Sequence, residues 1–306
     1  MTTAADDLVS RALERVARDP RWLEAACALP ASTLAPLLPY YLPLAGRIAA
    51  LRATKSAPLT VGIQGLQGAG KSTLVKLLER VLRDVAGLRV ACLSIDDLYL
   101  TRAERTDLAQ RVHPLFQTRG VPGTHDVALG AAVLGALVQP RPTAVPRFDK
   151  AQDDREPQST WPVIEGPCDV VLFEGLWIGL PPIDEATLAE PINELEAQED
   201  PRGIWRAHAA RELRYAYPAL FAPCELLVCL QAPDFESVKR WRGGAEHALL
   251  ARLEAAGGDT SRVMDDAALA RFFQHYERFS AHATAAMPQR ADVVLRLDRE
   301  HRVVKA

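Results

Sequence analysis

Cysteine is scarce and badly spaced for structural work. The five residues (Cys27, Cys92, Cys168, Cys224, Cys229) are odd in number and form no C-x-x-C pair. That argues against a disulfide framework and against a zinc site. Cys92 and Cys229 fall inside apolar, strand-like runs, where a buried thiol behaves as a small hydrophobe. Basic runs are missing too. With a formal charge of −3 and no cluster to neutralise phosphates, no nucleic-acid partner is expected. No apolar run approaches the ~20 residues needed to cross a bilayer, so no membrane partner is expected either. The opening MTTAADDLVSRALERV is acidic and amphipathic, not basic then apolar, and is not read as a signal peptide. Internal repeats and low-complexity segments are absent. Together these absences point to a cytoplasmic chain. They leave its oligomeric state open.

What remains is an ordinary globular composition, with 48% apolar and 25% charged residues over 306 positions. That length suits one large α/β domain, or one domain with an extension. One stretch then stands out: Gly65-Leu66-Gln67-Gly68-Ala69-Gly70-Lys71-Ser72-Thr73, which fits G-x-x-x-x-G-K-[ST]. Leu59 to Ile63 before it reads as a buried strand, and Ser72 to Leu82 after it carries apolar residues at helical spacing. Strand, glycine-rich turn and helix are what phosphate binding needs. Glycines let the backbone curl its N–H groups toward a phosphate, and the helix adds its positive end. Lys71 would reach the β/γ-phosphates of a nucleoside triphosphate, and the Ser72 hydroxyl would ligate magnesium.

The rest of the chain supplies possible partners for that loop. Residues 4–54 read as helices, with Leu8, Ala12, Val16, Trp22, Leu23 and Cys27 on one buried face. Pro36, Pro39 and Pro43 should kink or break the second half. We divide the chain into an N-terminal helical extension, 1–56, and a domain from 57 to 306. Leu88 to Ile95 reads as a second strand that delivers Asp96, Asp97 and Tyr99 at its carboxyl end, where open parallel sheets collect ligands. Residues 101–125 look polar and loop-like, and Asp126 reads as the cap of a helix from Val127 to Val138. His125 directly precedes that cap. The run Arg147-Phe148-Asp149-Lys150 and then Asp153-Asp154-Arg155 offers cations to an anionic ligand. Asp169 to Phe173 is a third strand closed by Glu174, the pattern of a carboxylate that orients magnesium or its water. Residues 180–203 read as an inserted loop. A helix from Trp205, a strand from Cys224 to Leu230, helices Phe235–Ala256 and Ala267–Ala286, and a strand from Asp292 to Leu297 complete the chain. A last hairpin arm runs from His301 to Lys305. The expected fold is α/β: a three-layer domain whose mostly parallel sheet is flanked by helices, plus the N-terminal extension.

These motifs resemble one family, the ATP-dependent D-glycerate 3-kinases and their kinase-like relatives, within the group that includes phosphoribulokinase, uridine kinase and pantothenate kinase. The resemblance rests on GLQGAGKST, on Ser94 to Thr101 (SIDDLYLT), and on His113 to Asp126 (HPLFQTRGVPGTHD). It continues through Pro146 to Ala151, Asp154-Arg155, Val170 to Gly179, and Arg240-Trp241-Arg242 followed by Glu246. Where such kinases carry G-R-G-D-R this chain has Gln152-Asp153-Asp154-Arg155, and Gly244 stands where a glutamine is common.

The resemblance implies ATP and Mg²⁺ as cofactors and a small hydroxy acid, D-glycerate, as acceptor. It also implies roles for particular residues. Gly65, Gly68, Ala69, Gly70, Lys71, Ser72 and Thr73 would hold the phosphates, with Arg240 and Arg242 closing over them. Asp96 would be the general base, and Asp97 would stand beside the metal or support the loop. Tyr99, Arg119, His125, Asp126 and Arg147 would line the acceptor site, and Ser72 and Glu174 would serve the metal. A same-fold kinase for a nucleoside, sugar or sugar phosphate, or an ATP-gated regulatory protein, would share the P-loop but need a different acceptor pocket or none.

Overall fold

The computed structural model describes residues 4–255 and 264–305. Its N-terminal part is helical: α1 (Ala4–Arg18), α2 (Arg21–Cys27), a short α3 (Ala31–Leu34), a 3-10 turn and α4 (Leu38–Ala53). Pro39 sits in the first turn of α4, where its missing N–H costs nothing, and Pro43 lies within the helix. One expectation is corrected here. The continuous helical run Ala31–Ala53 is long and apolar enough to cross a bilayer by length and composition. In this fold its Tyr41, Leu42, Leu44, Ala45 and Ile48 are buried in the protein core.

β1 (Leu59–Gly65) follows, then α5 (Lys71–Asp84) and β2 (Val90–Ser94). Next come α6 (Arg102–Arg111), α7 (Val127–Leu137), and four two-residue strands: β3 (Thr143–Ala144), β4 (Phe148–Asp149), β5 (Asp154–Arg155) and β6 (Val163–Ile164). β7 (Val170–Gly175) returns to the main sheet. α8 (Glu194–Glu199), α9 (Ile204–Tyr215) and α10 (Tyr217–Phe221) lead to β8 (Cys224–Gln231). The chain ends with α11 (Phe235–Ala255), α12 (Asp266–Ala286), β9 (Val293–Leu297) and β10 (Val303–Lys305). The expected last residue of α11, Ala256, lies outside the described residues.

The six long strands form one sheet in the order β10-β9-β8-β1-β7-β2, parallel throughout except for the antiparallel β10. Both faces are covered, which is why β1 is buried at every position and reads as a continuous apolar run. Val61, Ile63, Val170 and Leu172 point into a core shared with α5 and the N-terminal helices. Val171 and Phe173 point into the opposite core with α7, α9 and α12. The N-terminal helices thus share their core with β1 instead of having one of their own.

Two segments differ from the sequence reading. Residues 101–125 are not all loop, because α6 opens there on a capping box. Thr101 Oγ1 accepts from the Glu104 N–H (3.3 Å), and the Glu104 carboxylate accepts from the Thr101 N–H (2.7 Å). Apolar periodicity missed this helix because one of its inward residues is Arg105, wholly buried. Its guanidinium donates to the carbonyls of Leu100 (3.0 Å) and Asp153 (2.8 Å) and to the Asp153 carboxylate (2.6 Å). The inserted loop 180–203 likewise contains α8, capped by Asn193 and anchored by a buried Glu196 paired with Arg278.

Candidate active site

Gly65 ends β1 and Lys71 begins α5. The turn between them needs left-handed backbone at Gly68 (φ 73°) and Gly70 (φ 91°), which only glycine adopts without strain. The Lys71 ammonium donates to the Leu66 carbonyl (3.3 Å). Burial pushes its pKa down, while Glu174 and Asp96 pull it up. Ser72 lies exposed in the first turn of α5. α11 rests on the loop: a Cβ at Gly68 would lie 3.2 Å from the Trp241 Cβ. Trp241 in turn stacks on His301 at 4.5 Å.

The acids arrive by strand register. Glu174 stands opposite Ile63 on β1 and opposite Ser94 on β2, so the three strands end level. Two residues beyond Ser94, Asp96 lies in a 3-10 turn whose cap is the Ser94 hydroxyl, accepting from the Asp96 N–H (3.3 Å). Lys150 donates to Asp96 Oδ2 at 2.6 Å, and Asp96 Oδ1 is buried without a hydrogen-bond partner. Burial would raise the Asp96 pKa, but Lys150 and Lys71 outweigh it and hold the carboxyl below its ordinary value. Asp97 turns to β4 instead. It accepts from the Phe148 N–H (3.2 Å) and meets Arg147 at 3.5 Å, and burial raises its pKa. Burial also raises that of Glu174, against Lys71.

Beyond Asp96 stands a group of aromatic rings. Tyr99 stacks on His125 with centroids 4.5 Å apart and meets the edge of Phe148 at 5.3 Å. The Arg119 guanidinium lies 5.3 Å from the Phe148 ring and is paired with Asp153. Its backbone is fixed as well, because the Tyr276 hydroxyl donates to the Arg119 carbonyl (2.9 Å). A phosphate-binding loop, a half-buried lysine and an ionised carboxylate with one unpartnered oxygen form an arrangement suited to phosphoryl transfer onto a hydroxyl.

A scan against protein-family models finds no match. Among curated proteins, the "Uncharacterized kinase mug58" of Schizosaccharomyces pombe is 33% identical over 229 residues, covering 72% of this chain and 78% of that protein. The chain belongs to the P-loop kinase family that includes the D-glycerate 3-kinases. The "D-glycerate 3-kinase, chloroplastic" of Arabidopsis thaliana is 29% identical over 245 residues, 77% of this chain and half of that longer protein. A solved D-glycerate 3-kinase from Cryptococcus neoformans superposes with a TM-score of 0.69 at 25% identity, covering 87% of this chain and 97% of the other. The protein is thus a small-molecule kinase, an ATP-using phosphotransferase with an alcohol group as acceptor.

In this kinase Lys71, Asp96, Glu174, Tyr99 and His125 cluster at the carboxyl ends of β1, β2 and β7. Asp126 stands at the edge with both oxygens engaged: one caps α7 through the Leu129 N–H (2.9 Å), the other meets Arg155 (3.1 Å). The two helical arginines part company. Arg240 faces Ser237 and the Arg299 carbonyl, whereas Arg242 pairs with Glu246. Sequence reasoning named the run holding Lys150 and Asp153 but gave neither residue a partner or a role. Lys150 sat in a charged run that reads equally as a solvated loop, and Asp153 matters only because the fold carries it to Arg105 and Arg119.

His125 has a consequence for acid stability. Burial lowers its pKa from 6.5 to about 3, against a smaller pull from Asp96. A histidine with a depressed folded pKa adds stability that is complete above the unfolded value and is lost as pH falls toward the folded one. Between pH 6.5 and about 3 this residue should cost roughly 1.4 kcal/mol per pH unit. Urea unfolding of His125→Gln at pH 7, 6, 5 and 4 should show a slope shallower by about that amount. An unchanged slope would mean that His125 is already charged in the native protein.

Proposed function

We propose that this kinase transfers the γ-phosphate of ATP·Mg²⁺ to a hydroxyl of D-glycerate. The observation that carries the reading is Asp96, a carboxylate held ionised by neighbouring cations, with one buried oxygen unpartnered, beside the P-loop lysine. In this reading Gly65 to Thr73 and Lys71 hold the β/γ-phosphates, and Arg242 neutralises charge moving onto the leaving phosphate. Asp96 Oδ1 takes the proton of the reacting hydroxyl. The Ser72 hydroxyl and the Glu174 carboxylate are hard oxygen donors and fit magnesium, which binds through one or two protein oxygens together with substrate phosphates. Magnesium bound there would offset phosphate charge.

D-glycerate is favoured by the similarity to D-glycerate 3-kinases and by the cations beside Asp96. Arg119 is already paired with Asp153, while Arg147 meets Asp97 only at 3.5 Å, so Arg147 is the guanidinium with more to offer an incoming carboxylate. Arg147→Lys should lower kcat/KM for D-glycerate roughly ten- to a hundredfold and leave the KM for ATP unchanged. Glycerol, which lacks the carboxylate, should be a very poor acceptor for the wild type and nearly indifferent to the substitution. If glycerol or an uncharged nucleoside is phosphorylated as well as glycerate, the site reads no acid and the glycerate assignment fails, leaving the kinase assignment standing.

A further inference from the structure

The tip of the hairpin between β4 and β5, residues 150–153, is fastened on several sides. Asp149 Oδ1 accepts from the N–H groups of Ala151 (2.7 Å) and Gln152 (3.0 Å), which fixes the turn. Asp153 adopts left-handed backbone (φ 54°), uncommon for a residue with a side chain, and its carboxylate pairs with both Arg105 and Arg119. Arg105 also donates to the Asp153 carbonyl (2.8 Å), and the Arg102 N–H donates to Asp154 (2.9 Å). At the foot of the hairpin the Phe148 N–H donates to Asp97 (3.2 Å). The backbone of Lys150 is therefore held by α6, by Arg119 and by the turn after β2.

Its side chain is held at one end only. Lys150 is 63% exposed, yet its ammonium reaches Asp96 Oδ2 at 2.6 Å and is the strongest of the cations acting on that carboxylate. Asp96 Oδ1 has no hydrogen-bond partner and is closed to solvent. The base is thus open in its bonding but shut in its access. An exposed ion pair adds little to stability, so holding the fold together does not account for a braced hairpin that delivers one. The arm can swing while its anchor stays.

We propose that Lys150 is a cap on Asp96: the ion pair bars water from the carboxylate, so that ATP held at the P-loop is not hydrolysed before an acceptor arrives. The proposal rests on reading Asp96 as the general base, and it adds to that reading a device that suppresses a side reaction. In that reaction water gives a proton to Asp96 while its oxygen bonds to the γ-phosphorus. The bond from that phosphorus to the β,γ-bridging oxygen breaks, ADP and phosphate leave, and Asp96 returns the proton to solvent. Neutral water offers the ammonium no charge in exchange for the carboxylate. An anionic acceptor does, and so can draw the cap aside. Lys150 is a positioning residue, because it acts through Asp96 and not on the phosphoryl group.

The test measures phosphate release from ATP·Mg²⁺ by the full chain with no acceptor added. Lys150→Met keeps a long arm without its charge, and should hydrolyse ATP roughly tenfold faster than the wild type. Lys150→Arg keeps a cation and should stay near the wild-type rate. Adding Asp96→Asn to Lys150→Met should abolish the increase, because the leak runs through that carboxylate. Melting temperature should be the same for the wild type and both lysine variants, as expected of an exposed pair. A Lys150→Met variant that hydrolyses ATP no faster than the wild type would overturn the proposal. So would an increase that survives Asp96→Asn, or one that appears equally in Lys150→Arg. None of these measurements uses an acceptor, so none depends on glycerate. Asp96→Asn alone reports on the base: unchanged acceptor phosphorylation there removes that reading and the cap with it. A dead Asp96→Asn beside a Lys150→Met that does not leak removes the cap alone.

Discussion

Lys71→Ala should reduce turnover on the order of 10³-fold and leave the chain folded. The lysine is the one cation in the turn between β1 and α5, and burial pushes its pKa down. The half-buried ammonium donates to one carbonyl at 3.3 Å and is drawn by Glu174 and Asp96 against the cost of its burial, so its net contribution to stability is small. Its placement makes sense against phosphate charge, which would draw the ammonium off the Leu66 carbonyl. Melting temperature should therefore hold or rise while acceptor-dependent ADP release collapses. Wild-type turnover in this variant would remove the loop from the chemistry.

The second large effect separates two adjacent acids. Asp96→Asn keeps size and hydrogen bonding but cannot take a proton, so turnover should fall ~10²–10⁴-fold with ATP binding near normal. Asp97→Asn should be much milder in turnover and should act mainly on stability, because that side chain ties the turn after β2 to Phe148 and Arg147. The pH profile carries the same distinction. The cations around Asp96 hold its pKa below the ordinary 3.8, so it contributes a base that is present at neutral pH and is lost only as pH falls through that depressed value. The wild-type profile for kcat/KM should show no acid limb from this group down to about pH 4. A severe Asp97→Asn with a mild Asp96→Asn would exchange the two roles.

The substitutions that matter most fall on residues visible in one dimension. GLQGAGKST requires a strand before it and a helix after it to work at all, and β1 and α5 stand there. Strands of a parallel sheet covered on both faces are rich in apolar residues, so β1, β2, β7, β8 and β9 were legible within a residue or two. α6 was not, because its inward residue is a charge whose partners come from Leu100 and Asp153. No local pattern signals a buried arginine whose carboxylate partner lies 48 positions away.

The sequence by itself determined the α/β class, the P-loop and the family, because those depend on short-range geometry: glycines in a tight turn, apolar runs, an acid closing a strand. Which of two neighbouring aspartates faces the P-loop lysine was decided by tertiary structure alone. Successive residues in a 3-10 turn point in different directions, and only the β4 strand shows which of them is occupied. The same holds for Lys150 on Asp96, for Asp153 on Arg119, and for Tyr217 at His125 Nδ1, 92 residues apart. Charge pairing and proton placement depend on distances of a few ångströms between distant segments. Those distances exist only once the sheet brings the strand ends level.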